Sequence, residues 1–155
     1  MKVQDIMTRE VVSISSDTSV SEVATIMSKN RFHGVPVLEE GRLIGIITET
    51  DFYVRGTNIF LPSFITFLQD IDTVGPMHSK KKGFLKRVIQ AKAKDIMTSQ
   101  CITVDETMSL SDLLSFFQET NYHTLPVVDK DKKMIGIVTR TDLLKLISIQ
   151  KDEIV

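Results

Sequence analysis

The chain carries the same text twice. Asp5-Ile6-Met7-Thr8 returns as Asp95-Ile96-Met97-Thr98, and His33-Gly34-Val35-Pro36-Val37 returns as His123-Thr124-Leu125-Pro126-Val127. Both pairs are offset by 90 residues. Gly45-Ile46-Ile47-Thr48-Glu49-Thr50-Asp51 returns as Gly136-Ile137-Val138-Thr139-Arg140-Thr141-Asp142, offset by 91. The extra residue falls in the second copy, between Val127 and Gly136, the counterpart of the stretch between Val37 and Gly45, in a polar stretch that reads as a turn. A repeat that holds its offset, with its one insertion in a turn, is two copies of one structural unit. Such copies commonly pack about a pseudo-twofold axis, and sites built from them come in pairs. The linear division is residues 1–56 for the first copy, 57–92 for an unmatched insertion and 93–155 for the second copy.

Each copy reads as strand, helix, strand, strand, helix, which makes the expected class α+β. Val11–Ile14 and Cys101–Val104 are the first strand candidates. Ser19 with Glu22, and Ser109 with Asp112, place a hydroxyl at a helix N-cap and a carboxylate near the positive end of its dipole. Val20, Val23, Ala24 and Met27, and Leu110, Leu113, Leu114 and Phe117, then make one helical stripe per copy. Val35–Leu38 and Leu43–Ile47 flank the turn Glu39–Arg42. Leu125–Val128 and Met134–Val138 flank Asp129–Lys133, so each copy holds a hairpin. Pro36 and Pro126 are expected at a strand start or edge, because neither donates to a ladder. Second helices begin at Thr50-Asp51 and Thr141-Asp142. In the insertion, Phe60, Leu61, Phe64, Ile65, Leu68 and Ile71, and then Phe84, Leu85, Val88 and Ile89, fall on helical spacing. Two short helices are expected there, packed on the module or on a partner.

Composition narrows the function. The 155 residues suit one compact domain or two lobes sharing a core, and a formal charge of −1 argues for neither nucleic acid nor acidic lipid. No apolar run approaches the roughly 18 residues of a membrane span, and the N-terminus lacks the apolar stretch of a signal peptide. One cysteine and three scattered histidines give no disulfide and no metal-ligand spacing. A cytoplasmic protein without a metal is the simplest reading. There are no paired catalytic carboxylates, nucleophile motif or Walker-type loop, so catalysis is not expected.

The pattern apolar-Pro-apolar-apolar, turn, Gly-apolar-apolar-Thr-x-Thr-Asp, preceded by Asp-Ile-Met-Thr, resembles the CBS domain, named after cystathionine β-synthase. Two in tandem resemble a CBS pair, or Bateman module, over most of residues 3–53 and 93–149. The resemblance implies two intertwined βαββα units with up to two clefts between them. It implies that the clefts take adenosine-containing ligands such as AMP, ADP, ATP or S-adenosylmethionine. It implies a regulatory sensor, often dimeric, that acts on an attached or partner protein and needs no cofactor of its own.

The same resemblance assigns the candidate site. Asp51 and Asp142 match the carboxylate that binds the ribose hydroxyls, and one ionised carboxylate can accept from both hydroxyls. Thr48, Thr50, Thr139 and Thr141 match hydroxyls that meet ribose or phosphate at a helix start, where free N–H groups favour an anion. His33 and His123 lie at or beside a position that meets phosphate in some members. Gly34 and Thr124 follow them where phosphate-binding members sometimes carry Arg. Ile46 and Ile137 are the candidate apolar lining. A second reading stands beside the first: Thr-x-Thr-Asp before an apolar helix is also an ordinary helix cap.

Position five of the motif differs between the copies. If it faces the ligand, Arg140 favours phosphate and Glu49 opposes it; if both face solvent, the difference carries nothing. Lys80, Lys81, Lys82, Lys86, Arg87, Lys92 and Lys94 stand in a stretch with no acid. They read as a solvated helix face more readily than as a nucleic-acid surface. Cys101 reads as a small buried hydrophobe. The leading expectation is a non-catalytic regulatory sensor for adenosine ligands that forms a homodimer. The alternative is a ligand-free dimeric scaffold engaging a partner through the insertion helices.

Overall fold

The computed structural model describes residues 1–53 and 90–152, with side chains through residue 146. Almost all of the 57–92 insertion, with its two expected helices and most of its basic residues, lies outside the described residues. The described chain is a mix of helices and small sheets, and it packs as two units: Ser13–Gln100, and Met1–Val12 with Cys101–Val155. These units cut across the linear division. Each hairpin takes its Asp-Ile-Met-Thr segment from the other copy.

In the Ser13–Gln100 unit, helix α1 spans Val20–Asn30 and is capped by Ser19, whose Oγ accepts the Glu22 N–H at 3.2 Å. Val20, Val23 and Met27 of the expected stripe are buried. The helix ends on Arg31 in the left-handed region, with φ 56°; the Arg31 N–H turns back to Met27 O and Ser28 O, and the Phe32 N–H to Met27 O. This is the usual way of satisfying last-turn carbonyls, made here by an arginine rather than a glycine. Strands β1 (Gly34–Glu39) and β2 (Arg42–Thr48) form an antiparallel hairpin. Glu40 and Gly41 both have positive φ, as a tight turn matching strand twist requires. The expected strand Val11–Ile14 shrinks to a single parallel rung, Ile14 against Val37. Helix α2 (Ala93–Ile96) follows; Asp95 Oδ2 accepts the Lys92 N–H at 2.8 Å, and Thr98 then pairs with Ile46. The core gathers Ile14, Val23, Val35, Val37, Ile47 and Phe52.

The other unit repeats the plan with the exchanged segment. Val3–Asp5 form a 3-10 turn, and Asp5 Oδ2 accepts the Lys2 N–H at 2.7 Å. Thr8 pairs with Ile137. Strand β3 (Val104–Asp105) runs parallel to β4 (Thr124–Val128), which pairs antiparallel with β5 (Met134–Thr139). Between β3 and β4, helix α3 (Leu110–Glu119) is capped by Ser109 and buries Leu113 and Phe117. Leu114, expected in that stripe, is 47% exposed. Helix α4 (Arg140–Asp152) closes the unit. In the first copy, the matching position holds a 3-10 turn, Glu49–Phe52.

Two motif residues owe their identity to the exchange. A Cβ on Gly136 would lie 2.8 Å from Met7 Sδ and 3.0 Å from Thr8 O; one on Gly45 would lie 2.9 Å from both Met97 Sδ and Thr98 O. The Asp-Ile-Met-Thr segment therefore seats against a strand that must have no side chain there. Pro36 lies in β1, an edge strand of its two-stranded sheet, as expected. Pro126 corrects the sequence reading, since it neither begins β4 nor lies at an edge, β4 standing between β3 and β5. Ile46 turns its N–H and C=O to Thr98, and Ile137 does the same to Thr8. The pairs Pro36–Ile46 and Pro126–Ile137 are therefore non-hydrogen-bonded ones, where a missing N–H removes no rung between the paired strands.

Candidate functional site

Each hairpin delivers its second strand into a Thr-x-Thr-Asp turn. After β2, Asp51 Oδ2 accepts the Thr48 N–H at 2.7 Å and the Thr48 hydroxyl at 3.2 Å. Thr50 Oγ1 lies 2.9 Å from Thr48 Oγ1. Asp51 Oδ1 accepts from Thr98 Oγ1 at 3.2 Å. After β5, Asp142 Oδ2 accepts the Thr139 N–H and hydroxyl, both at 2.8 Å, and Oδ1 meets Lys145 Nζ at 3.1 Å. Asp142 is only 6% exposed, whereas Asp51 is half-buried.

The helix-cap reading is thus realised in both copies: Oδ2 of each aspartate closes its own turn. An ionised carboxylate has about four acceptor positions. Three are used in each, which leaves one on Oδ1 and a second wherever an exposed Thr98 or Lys145 yields its place. Exposed contacts of this kind are worth little and exchange easily. The sequence reading missed both residues. Thr98 belongs to the Asp-Ile-Met-Thr segment, whose recurrence was visible; Lys145 had no signal beyond its spacing of three from Asp142.

The other candidates divide. Thr50 and Thr141 are exposed at their turns. Ile46 is buried and Ile137 half-buried, both beside the seated Thr98 or Thr8 backbone. His33 Nδ1 lies 3.3 Å from Glu49 Oε1, with both side chains at least half exposed. His123 is exposed, and its carbonyl accepts the Arg140 N–H at 3.2 Å.

Arg140 has a task the sequence did not reveal. Its Nε donates to Tyr122 O at 2.8 Å, and Nη2 donates to Phe117 O at 2.7 Å and Thr120 O at 2.6 Å. The guanidinium also lies 5.7 Å from the centre of the Phe117 ring. Only Nη1 is left for a further acceptor. A two-pronged phosphate contact by this side chain would require it to release a carbonyl of α3 or of the segment that follows. Away from these turns, Lys92 and Lys94 both pair with Asp17. Burial pushes the Cys101 thiol up, which suits an inert residue.

Residues 3–54 and 93–149 match the model of the CBS domain. The chain belongs to the CBS domain family. With two matches in tandem it is a CBS pair, or Bateman module. This CBS pair is 31% identical over 153 residues to the uncharacterized protein MJ1426 of Methanocaldococcus jannaschii, covering 94% of this chain and 90% of that one. Its fold superposes with a TM-score of 0.73 on the crystal structure of MJ1225 from the same organism, described as a candidate archaeal homologue of γ-AMPK; the identity is 28%, over 94% of this chain and 47% of that one. CBSX2 of Arabidopsis thaliana, in a crystal structure with AMP, gives a TM-score of 0.70 at 24% identity, over 97% and 98% of the two chains. That last likeness speaks for the fold. The CBS pair spans 46% of the length of MJ1225 and 56% of that of CBSX2. Among the described residues, no helix is long and apolar enough to cross a membrane, and no cluster of His, Cys, Asp and Glu is arranged to hold a metal ion.

Proposed function

We propose that this CBS pair is a non-catalytic regulatory module that binds an adenosine-containing ligand at its two Thr-x-Thr-Asp turns. The observation that carries the reading is the state of the two aspartates. Each is fixed by its own turn through Oδ2 and turns Oδ1 to an exposed, exchangeable side chain. A carboxylate held in this way is preorganised to accept a sugar hydroxyl without losing its cap. Thr48, Thr50, Thr139 and Thr141 supply hydroxyls around the sugar or its 5′ substituent, with His33, His123 and Nη1 of Arg140 as outer donors. Ile46 and Ile137 offer apolar surface to the base. AMP bound to CBSX2, on the same fold, is consistent with this class of ligand. S-adenosylmethionine and the other adenine nucleotides belong to the same proposal, as does a homodimer that acts on a partner protein.

A thermal-shift screen of adenosine, AMP, ADP, ATP and S-adenosylmethionine tests the reading. A ligand present at one hundred times its dissociation constant adds about 2.7 kcal/mol to the folded state. At least one compound is expected to raise the melting temperature by several degrees. No shift from any of the five would remove the reading. Light scattering at twice the 17.5 kDa chain mass is the expected result for the dimer.

A further inference from the structure

Thr124 opens β4 with 4% of its surface exposed, and its Oγ1 is enclosed without a hydrogen-bond partner. It is the one buried side-chain polar atom in that state among the described residues. An unpaired buried hydroxyl is costly, and valine would fill the same strand position without that cost. The register places Thr124 opposite Thr139. The neighbouring bonds, Ile137 to Thr8 and the Arg140 N–H to His123 O, make this a non-hydrogen-bonded pair. Side chains of such a pair stand on one face, roughly 5 Å apart at Cβ. The Thr139 hydroxyl is already turned to Asp142 Oδ2. An unpaired hydroxyl therefore stands beside the threonine that braces the proposed ligand carboxylate. The first copy has Gly34 opposite Thr48 at the same register, and so no hydroxyl there.

We propose that the Thr124 hydroxyl is a recognition group of the Asp142 site, donating a hydrogen bond to the nucleoside portion of its ligand. The inference rests on the adenosine-ligand reading above and adds a specificity residue that the first copy lacks. A neutral hydroxyl in a buried place matches a neutral sugar or base atom. A phosphate would bring charge into the same place, while Nε and Nη2 of the Arg140 guanidinium are engaged with carbonyls.

The test uses the full chain in an Asp51→Asn background, so that the Asp142 site dominates the signal. Thr124→Val and Thr124→Ser are compared with their parent by calorimetric titration of adenosine and AMP, and by thermal melting without ligand. Thr124→Val is expected to raise the ligand-free melting temperature by about 3 °C, by removing an unpaired polar group. It is expected to weaken adenosine and AMP alike, by about three- to tenfold, the range of one hydrogen bond. Thr124→Ser is expected to restore most of that affinity. Unchanged affinity in Thr124→Val overturns the proposal, as does a loss confined to AMP. A lower melting temperature would show that the hydroxyl is bonded in the free protein, and would overturn it too. A parent and wild type that both bind neither compound would instead sink the ligand reading itself, and this inference with it.

Discussion

The two copies share a motif but stop their first helices by different means. In the first copy, α1 ends on Arg31 in a left-handed conformation, and the chain satisfies its own last carbonyls. In the second, α3 ends on Thr120 in an extended conformation, and the carbonyls of Phe117 and Thr120 are taken by Arg140 from the start of α4. Position five of the motif is therefore a structural cross-tie in one copy. In the other it is half of an exposed pair, Glu49 with His33. A difference that looks like ligand selectivity in the sequence is, in the structure, first a difference in how a helix is finished.

The comparison breaks most sharply at the two glycines. Gly136→Ala and Gly45→Ala are each expected to destabilise the protein by about 3 kcal/mol. The methionine sulfur can move, but the Thr8 and Thr98 carbonyls are held by paired backbone bonds. Urea denaturation of both variants checks this. Costs that differ by more than about twofold would mean the two seatings are not equivalent.

Position five should show the opposite, a clear inequality. Arg140→Ala removes three hydrogen bonds to carbonyls and is expected to cost about 1.5–3 kcal/mol. Glu49→Ala removes one exposed pair and should stay within about 0.5 kcal/mol. Equal costs in the same denaturation experiment would reject the cross-tie.

The smallest contrast lies at Asp17, whose counterpart in the second copy is Thr107. Hydrogen bonds and charge from Lys94 and then Lys92 hold the Asp17 carboxyl below its ordinary value of 3.8. A lowered folded-state value means the contribution is present above about pH 3.8 and fades as pH falls through the lower, folded value. The stability difference between wild type and Asp17→Asn should therefore be steady near neutrality and vanish in acid. A difference that persists at pH 2 would contradict the assignment.

Much of this was legible in the residues, for a physical reason. The hairpins, the serine caps and the Thr-x-Thr-Asp turns are local, and each was written twice, so β1 with β2 and β4 with β5 appear where the apolar runs and the polar turns between them put them. Ser19 and Ser109 cap as read because N-cap chemistry depends on only three following residues. The exchange of Asp-Ile-Met-Thr segments was not legible at the residue level, since it pairs Thr8 with Ile137 and Thr98 with Ile46 across long stretches of chain. Val11–Ile14 read as a strand because β-branched residues favour one, yet only Ile14 finds a partner. The aspartates were read as site residues, and their capping partners followed from the same letters. Thr98 and the reach of Arg140 to Phe117 O depended on tertiary contacts that spacing does not encode, whereas Lys145 meets Asp142 three residues away on the same helix, a local pair that the reading passed over.

Binding by the aspartates is the claim on which the functional account stands. Its most direct test is calorimetric titration of AMP into wild type, Asp51→Asn, Asp142→Asn and the double variant. Asparagine keeps an acceptor for the Thr48 and Thr139 N–H groups, so the turns stay capped while the charge is lost. Each single variant is expected to weaken its own site by about 1.5–3 kcal/mol, roughly ten- to a hundredfold. The double variant is expected to lose measurable binding while its far-ultraviolet circular dichroism is unchanged. AMP bound by the folded double variant with wild-type affinity would show that Asp51 and Asp142 are helix caps and nothing more.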